Sequence, residues 1–221
     1  MHRELQLTND GSHTISIPEM GVTYHSHHGA IGESRHVYIE AGLNPFLTSA
    51  IPVIHILEIG LGTGLNALLS LQEAMLHKQS LHYTAIELYP LTREEYTQVN
   101  YGQVLNDTEN FLAIHTADWE KKVQLNEYFT LHKKKVSLLN LDDVTGVHCI
   151  YFDAFSPTHQ PELWTEPVFS KLFSMLLPGG TLVTYCSKTI IRKAMAAAGF
   201  AITKIPGPWG KREMVRAGKD C

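Results

Sequence analysis

The chain has 221 residues, of which 44% are hydrophobic and 18% charged, proportions that suit one globular domain with at most a small appendage. Its formal charge of −4 argues against a strongly basic nucleic-acid-binding surface overall, while leaving room for a local patch. The 13 histidines are scattered, with His25, His27 and His28 as the one cluster, and neither HExxH nor CxxC spacing occurs, so no metal site is expected. Cys149, Cys186 and Cys221 are odd in number and widely spaced, a pattern of a reducing compartment and not of a disulfide framework. The polar start "MHRELQLTND" is no signal peptide, and no apolar run approaches membrane-spanning length. A cytoplasmic protein that does not enter the membrane is expected.

In chain order, "ELQLTNDGSHTISI" alternates apolar and polar residues around Asn9-Asp10-Gly11 and reads as a β-hairpin. A loop rich in histidine and glycine follows, then the amphipathic "GESRHVYIEAGL", whose type the pattern does not assign. From Val53 the character changes. "VIHILEI" reads as a buried strand, and "GLNALLSLQEAMLH" has helical spacing. "LHYTAIEL" is a strand, "LTREEYTQVNY" a helix, and "YFTLHKK" and "HCIYFD" are further strands. "EPVFSKLFSMLL" is a helix expected to stop at Pro178-Gly179-Gly180. Strand "TLVTYC", helix "KTIIRKAMAAAG" with Gly199 at its cap, and strands "FAITKI" and "REMVRA" complete the chain. Strands alternating with helices imply βαβ units and a mostly parallel sheet. The last two strands are joined only by "PGPWGK", too short for a parallel crossover, so they pair antiparallel.

"LEIGLGTGLN" follows the first strand of the main sheet and opens its first helix, with Gly60, Gly62 and Gly64. A dinucleotide fingerprint would need glycine where Leu65 stands, and a P-loop would need Gly-Lys-Ser/Thr. The E-x-G-x-G-x-G spacing suits a nucleoside ligand with an amino acid tail and no diphosphate; the alternative is a tight turn that binds nothing. Glu58, at the strand end, can receive a cationic amino group. Glu87, at the end of the next strand, is placed to accept the ribose hydroxyls of an adenosine. This combination, over about Val53 to Ala217, resembles the class I S-adenosylmethionine-dependent methyltransferases. The resemblance implies an α/β fold, a Rossmann-like, doubly wound, seven-stranded, mostly parallel sheet with an antiparallel C-terminal hairpin, here with a small N-terminal β-hairpin extension. The expected division is 1–50 for that extension and 51–221 for the methyltransferase domain.

Asp153, in "YFDAFSP", lies at the carboxyl end of the fourth main strand, the edge where open α/β sheets bind ligands. A carboxylate there can accept a hydrogen bond from an amine and aim its lone pair; the alternative is a strand-end acid that caps the next segment. "DAFSP" resembles the D/N-P-P-Y/F loop of amino-group methyltransferases, but carries Ala154 and Ser156 in the middle.

"GTGLN", "ELYPLTR", "FDAFSP", "PELWT", "PGGTLVTY", "AGF" and "GKREM" occur in this order and together resemble the methyltransferase domain of the MnmC family, which completes 5-methylaminomethyl-2-thiouridine at the tRNA wobble position. "YHSHHGAIGESRHVYI" is similar to that family's segment before the first main strand. The resemblance implies methyl transfer from S-adenosylmethionine to the exocyclic amine of 5-aminomethyl-(2-thio)uridine, with the tRNA anticodon region as partner. It implies that Glu58, Gly60, Gly62, Thr63, Gly64 and Asn66 line the methionine and ribose side of the cofactor, with Glu87 on the ribose. Asp153 would sit between cofactor and substrate amine, with bulk water taking the amine's proton. Tyr24, Glu33, Arg35, Phe155, Lys211 and Arg212 would face the substrate. No oxidase domain follows Cys221, so the aminomethyl form is expected from elsewhere, from a separate FAD-dependent oxidase or another upstream tRNA-modifying enzyme. The family's acid near the adenine aligns with Ser137, with Asp142 and Asp143 as alternatives.

Lys204, Lys219 and the run His132 to Lys135 read as solvated charges, Trp164 as a packing anchor, and Trp209 as either substrate contact or anchor. Two other functions stay open: a methyltransferase of small amines, which the acidic balance suits, and a non-catalytic cofactor-binding subunit of an oxidase complex.

Overall fold

The computed structural model describes residues 2–220. Glu4–Leu7 (β1) and His13–Ile17 (β2) form the expected hairpin, and Val22–Thr23 (β3) adds a third antiparallel strand. In the hairpin loop the Asp10 carboxylate accepts the backbone N–H of Ser12 at 3.1 Å and that of Gly32 at 3.0 Å. Gly32 lies in the first helix, so one acid ties the hairpin to the next element.

The unassigned segment is helical. Ala30–Ser34 (α1) runs through a π-helical stretch, Arg35–Leu43, into Asn44–Leu47 (α2). It packs flat on the main sheet because Gly42 has no side chain: a Cβ there would lie 3.0 Å from both Tyr151 and Val183. Val37, Tyr38, Ile39 and Leu43 are buried in the same core cluster as Ile54, Ile56 and Leu68.

The main sheet begins with Val53–Ile59 (β4), followed by Leu65–His77 (α3) and Ser80–Ile86 (β5). Next come Arg93–Tyr96 (α4), Tyr101–Val104 (α5) and Thr108–Thr116 (α6), then Lys122–Asn126 (β6) and Phe129–Lys134 (β7). Val147–Phe152 (β8), Glu166–Met175 (α7), Leu176–Thr184 (β9), Thr189–Ala197 (α8), Ala201–Pro206 (β10) and Glu213–Gly218 (β11) complete it. The order is β10-β11-β9-β8-β4-β5-β7-β6. Strands β7, β5, β4, β8 and β9 run parallel; β11 inserts antiparallel to β9, and β10, antiparallel to β11, again points with the parallel set.

All seven expected strands are present, and β6 adds an eighth, antiparallel to β7. It is an edge strand with no buried residue, so it leaves no apolar run to read. The single helix expected over 91–101 is two short ones. Asn100 breaks it by turning to the N-terminal hairpin, where it accepts from His13 N (2.8 Å) and donates to Gly11 O (2.9 Å). Pro178-Gly179-Gly180 does not form the helix stop: α7 ends at Met175, and the three residues lie within β9, where its register with β8 shifts. A Cβ on Gly180 would meet the Leu177 carbonyl at 2.8 Å, which explains glycine in that bulge. Gly199 stands just beyond α8 at φ 104°, as its capping role requires. Among the described residues, no helix is long and apolar enough to cross a membrane.

Candidate active site

A cavity of about 500 Å³ opens at the carboxyl ends of β4, β5 and β8, the edge marked by Asp153. Its lining includes Gly60, Gly62, Thr63, Asn66, Glu87, Ser137 and Asp153 on one side, and Tyr24, Glu33, Phe155 and Lys211 on the other.

The loop after β4 is built for close approach. Gly60, Gly62 and Gly64 all have positive φ, at 92°, 50° and 74°. A Cβ on Gly60 would lie 2.9 Å from the Asp153 carbonyl, and one on Gly62 3.0 Å from the Tyr24 ring. Glu87 holds this loop by its backbone: its carboxylate accepts from Gly62 N at 3.0 Å and from Tyr89 N at 2.8 Å. Thr63 Oγ1 and Asn66 Oδ1 are buried without a hydrogen-bond partner. Unpaired buried polar atoms beside a glycine cradle fit a polar ligand lying on the loop.

Asp153 is fixed from two sides. The Tyr38 hydroxyl donates to Oδ1 at 2.6 Å and Asn66 Nδ2 donates to Oδ2 at 2.9 Å. Burial, and less strongly the nearby Glu33 carboxylate, raises its pKa against the pull of the two hydrogen bonds and Lys211, leaving it at about 7. Asn66 Nδ2 also donates to Glu58 Oε1 at 3.0 Å. Glu58 is fully buried, and burial, together with the Asp153 charge, raises its pKa well above the ordinary carboxylate range.

On the opposite wall Tyr24 and Phe155 meet edge to face at 5.2 Å. Glu33 accepts from Ser26 N at 2.8 Å and pairs with Lys211, whose ammonium lies 4.2 Å from the centre of the Tyr185 ring. The Tyr185 hydroxyl donates to Ala154 O at 2.9 Å, and Trp164 Nε1 to Phe155 O at 2.8 Å, so the loop after Asp153 is held at two carbonyls. Trp164 is otherwise the packing anchor expected, against Phe152 and Phe169.

Four expected site residues lie outside the lining. Glu58 is buried outside the lining, where its Oε1 accepts from Asn66 Nδ2 and so helps to orient the asparagine. Gly64 abuts His115, 3.0 Å from where a Cβ would stand. Arg35 and Arg212 are exposed at the surface. Of the three residues considered for the adenine, Ser137 lines the cavity, whereas Asp142 pairs with Lys171 at 3.1 Å and Asp143 with Lys134. His25, His27 and His28 all reach the cavity. His25 is buried, which pushes its pKa down to about 4 and keeps it neutral.

Lys133 and Lys219 are not the solvated charges expected. Lys133 is 1% exposed; it donates to His115 O at 2.7 Å and lies 4.8 Å from the Trp119 ring centre. The other contact of His115, to Thr63 O at 3.1 Å, supports the glycine loop from beneath. Lys219 donates to Phe173 O and Leu176 O at the end of α7. Sequence reasoning missed Tyr38 and Tyr185, and it missed Arg3, which lines the cavity and donates to Tyr89 O at 2.6 Å.

A doubly wound sheet with a glycine cradle, a strand-end glutamate and a final antiparallel hairpin is the architecture of an α/β domain that binds a nucleoside-containing ligand. The family model of S-adenosyl-L-methionine-dependent methyltransferases matches residues 92–220, and the chain belongs to that family. S-adenosylmethionine is therefore its cofactor, and the cradle and unpaired polar atoms of the loop fit it. Among named relatives, the tRNA 5-methylaminomethyl-2-thiouridine biosynthesis bifunctional protein MnmC of Cupriavidus metallidurans is 31% identical over 223 residues, covering 96% of this chain and 33% of the relative. The MnmC protein of Leptospira interrogans is 30% identical over 208 residues, covering 87% and 32%. The chain thus spans about a third of the length of the curated relatives it matches. The crystal structure of MnmC2 from Aquifex aeolicus superimposes with a TM-score of 0.79 at 24% identity, covering 98% of this chain and 70% of that one. Spermidine synthase from Thermotoga maritima gives 0.57 at 12% identity, covering 98% and 68%. At these identities the two structures speak to the fold alone.

Proposed function

We propose that this chain methylates the primary amine of 5-aminomethyl-(2-thio)uridine at the wobble position of tRNA, giving the 5-methylaminomethyl nucleoside. The observation that carries the reading is Asp153, a carboxyl with a near-neutral pKa, clamped by Tyr38 and Asn66 at the cavity wall. The names of the relatives, which concern 5-methylaminomethyl-2-thiouridine in tRNA, point to that nucleoside.

When bound, S-adenosylmethionine supplies an electrophilic methyl group on a sulfonium. The chain must then deliver a neutral amine in line with it. We assign Asp153 the N–H hydrogen bond that aims the lone pair. Burial makes it a better proton acceptor than an ordinary carboxylate, so we also give it the amine's proton, in place of bulk water. Gly60, Gly62, Thr63 and Asn66 would form the cofactor's bed, with Gly64 shaping the turn into α3 behind it, Glu58 behind Asn66, Glu87 toward the ribose and Ser137 toward the adenine. Tyr24 and Phe155 would flank the uracil, with Glu33 and Lys211 at its amine-bearing side. Residues 1–50 act in this reading as the substrate-side layer of the methyltransferase domain, 51–221, and Arg35 and Arg212 would meet phosphates of the anticodon region. The amine has to be made first, and we assign its supply to an FAD-dependent oxidase or another upstream tRNA-modifying enzyme in the cytoplasm.

The test is transfer of labelled methyl groups to tRNA carrying aminomethyluridine, by the unaltered chain and by Asp153→Ala. Incorporation that falls by at least about a hundredfold in the variant is the expected result. No incorporation into any such tRNA, with normal cofactor binding, would sink the reading.

A further inference from the structure

Trp209 is 84% exposed, more than any other large hydrophobic side chain among the described residues. It packs into no core, so of its two expected roles the packing anchor falls away. It stands at the tip of the turn between β10 and β11, and that turn is rigid. Lys211 N donates to Pro208 O at 2.8 Å and Gly207 N to Arg212 O at 3.2 Å. Gly210, at φ 87°, is pressed so closely on the His28 ring that a Cβ would overlap it. His36 Nε2 contacts Pro206 O at 2.8 Å and braces the foot of the hairpin. His28 and Lys211 both line the cavity, so the indole projects at the cavity's lip on a fixed support.

The charges around it select a partner. Arg212, three residues on, and Arg35, next to His36, are exposed and make no ion pair among the described residues. A solvent-facing indole on a hydrogen-bonded turn, with one unpaired guanidinium on the hairpin and another on the helix that braces it, suits a base's π-face and nearby phosphates. The two guanidinium groups also give an acidic chain a local point of attraction for RNA.

We propose that Trp209 is a stacking platform for an unpaired nucleobase adjacent to the one whose amine enters the cavity, with Arg212 and Arg35 on the flanking phosphates. The proposal rests on the RNA substrate proposed above. It makes the β10–β11 turn the element that distinguishes a loop in RNA from a free nucleoside.

The experiment measures binding of a labelled anticodon stem–loop RNA, alongside methyl transfer to the stem–loop and to free 5-aminomethyluridine, for the unaltered chain, Trp209→Ala and Trp209→Tyr. Trp209→Ala should weaken stem–loop binding and raise its KM about tenfold, the size of one lost base–aromatic stack, with kcat held. The nucleoside is too small to reach the indole, so its kcat/KM serves as the internal reference, and Trp209→Tyr should restore stem–loop binding. Unchanged RNA binding in Trp209→Ala overturns the proposal and leaves the indole to a protein partner. An equal fall for RNA and nucleoside also overturns it. Failure of the unaltered chain to methylate either substrate instead removes the underlying reading, a result separable from the first two.

Discussion

The hydroxyl of Tyr38 donates to Asp153 Oδ1 at 2.6 Å, from a helix that lies outside the nucleotide-binding framework. That bond lowers the acid's pKa against the larger effect of burial. In Tyr38→Phe the carboxyl should therefore protonate at higher pH. The acidic limb of the kcat/KM profile should move upward, and the rate at neutral pH should fall about tenfold, the cost of one hydrogen bond to a charged group. A rate reduced equally at every pH would remove this role from Tyr38.

The glycine cradle offers an internal comparison. Gly60→Ala combines positive φ with a Cβ 2.9 Å from the Asp153 carbonyl, whereas Gly146, at φ 71°, faces open space away from the cavity. Gly60→Ala should lose roughly 2 kcal/mol or more of stability and most cofactor affinity, whereas Gly146→Ala should cost about 1 kcal/mol and leave the affinity intact. Thermal unfolding and calorimetric titration with S-adenosylmethionine separate the two.

Glu87 spends both carboxylate oxygens on backbone N–H groups of its own loops. Glu87→Ala should thus slacken the loop as well as remove a ribose acceptor. A loss of cofactor affinity on the order of thirtyfold is expected, with Glu87→Gln intermediate because an amide keeps one acceptor. Equal affinity of Glu87→Ala and the unaltered chain in the same titration would contradict this.

Acid should unfold the protein in a definable window. Burial lowers the pKa of both His25 and His115 from 6.5 to about 4. Between those values only the unfolded chain binds the proton. Stability is therefore fully present above pH 6.5 and is lost as pH falls toward 4, on the order of 3 kcal/mol per histidine at most. Asp153 has the opposite sign: its raised pKa means that it gives up stability as pH climbs from 3.8 through about 7. Urea unfolding across this range should show a maximum, and His115→Phe, which can keep the stack on Tyr96, should flatten the acid side. An unaltered acid limb in that variant would assign the lability elsewhere.

Strand ends were the most legible part of the sequence. The carboxyl end of a parallel strand is a fixed place, so Asp153, Glu87 and the glycine turn could be put at one edge from apolar runs alone. Tyr38 escaped because its segment is π-helical, and a wider turn matches neither a period of 2 nor one of 3.6. Lys133 lies in a run whose charge suggests a solvated edge, while its alternation points the other way. Along β7 buried and partly exposed residues alternate, which turns that lysine inward onto Trp119 and the His115 carbonyl. Glu58 and Asn66 were both legible as polar residues near the loop, but which of them faces the ligand depends on the pitch of α3 against β4, a matter of packing.

The separation of Tyr38 from Asp153, 115 residues along the chain, also has a consequence for biosynthesis. At a translation rate of about 5–20 residues per second, the tyrosine leaves the ribosome roughly 6–23 seconds before its acid partner. Through that interval Val37, Ile39 and Leu43 have no sheet to cover them, since β8, β9 and β11 are still unmade. Those apolar side chains therefore wait uncovered while the chain is made, and the Tyr38–Asp153 clamp can close only after β8 has emerged.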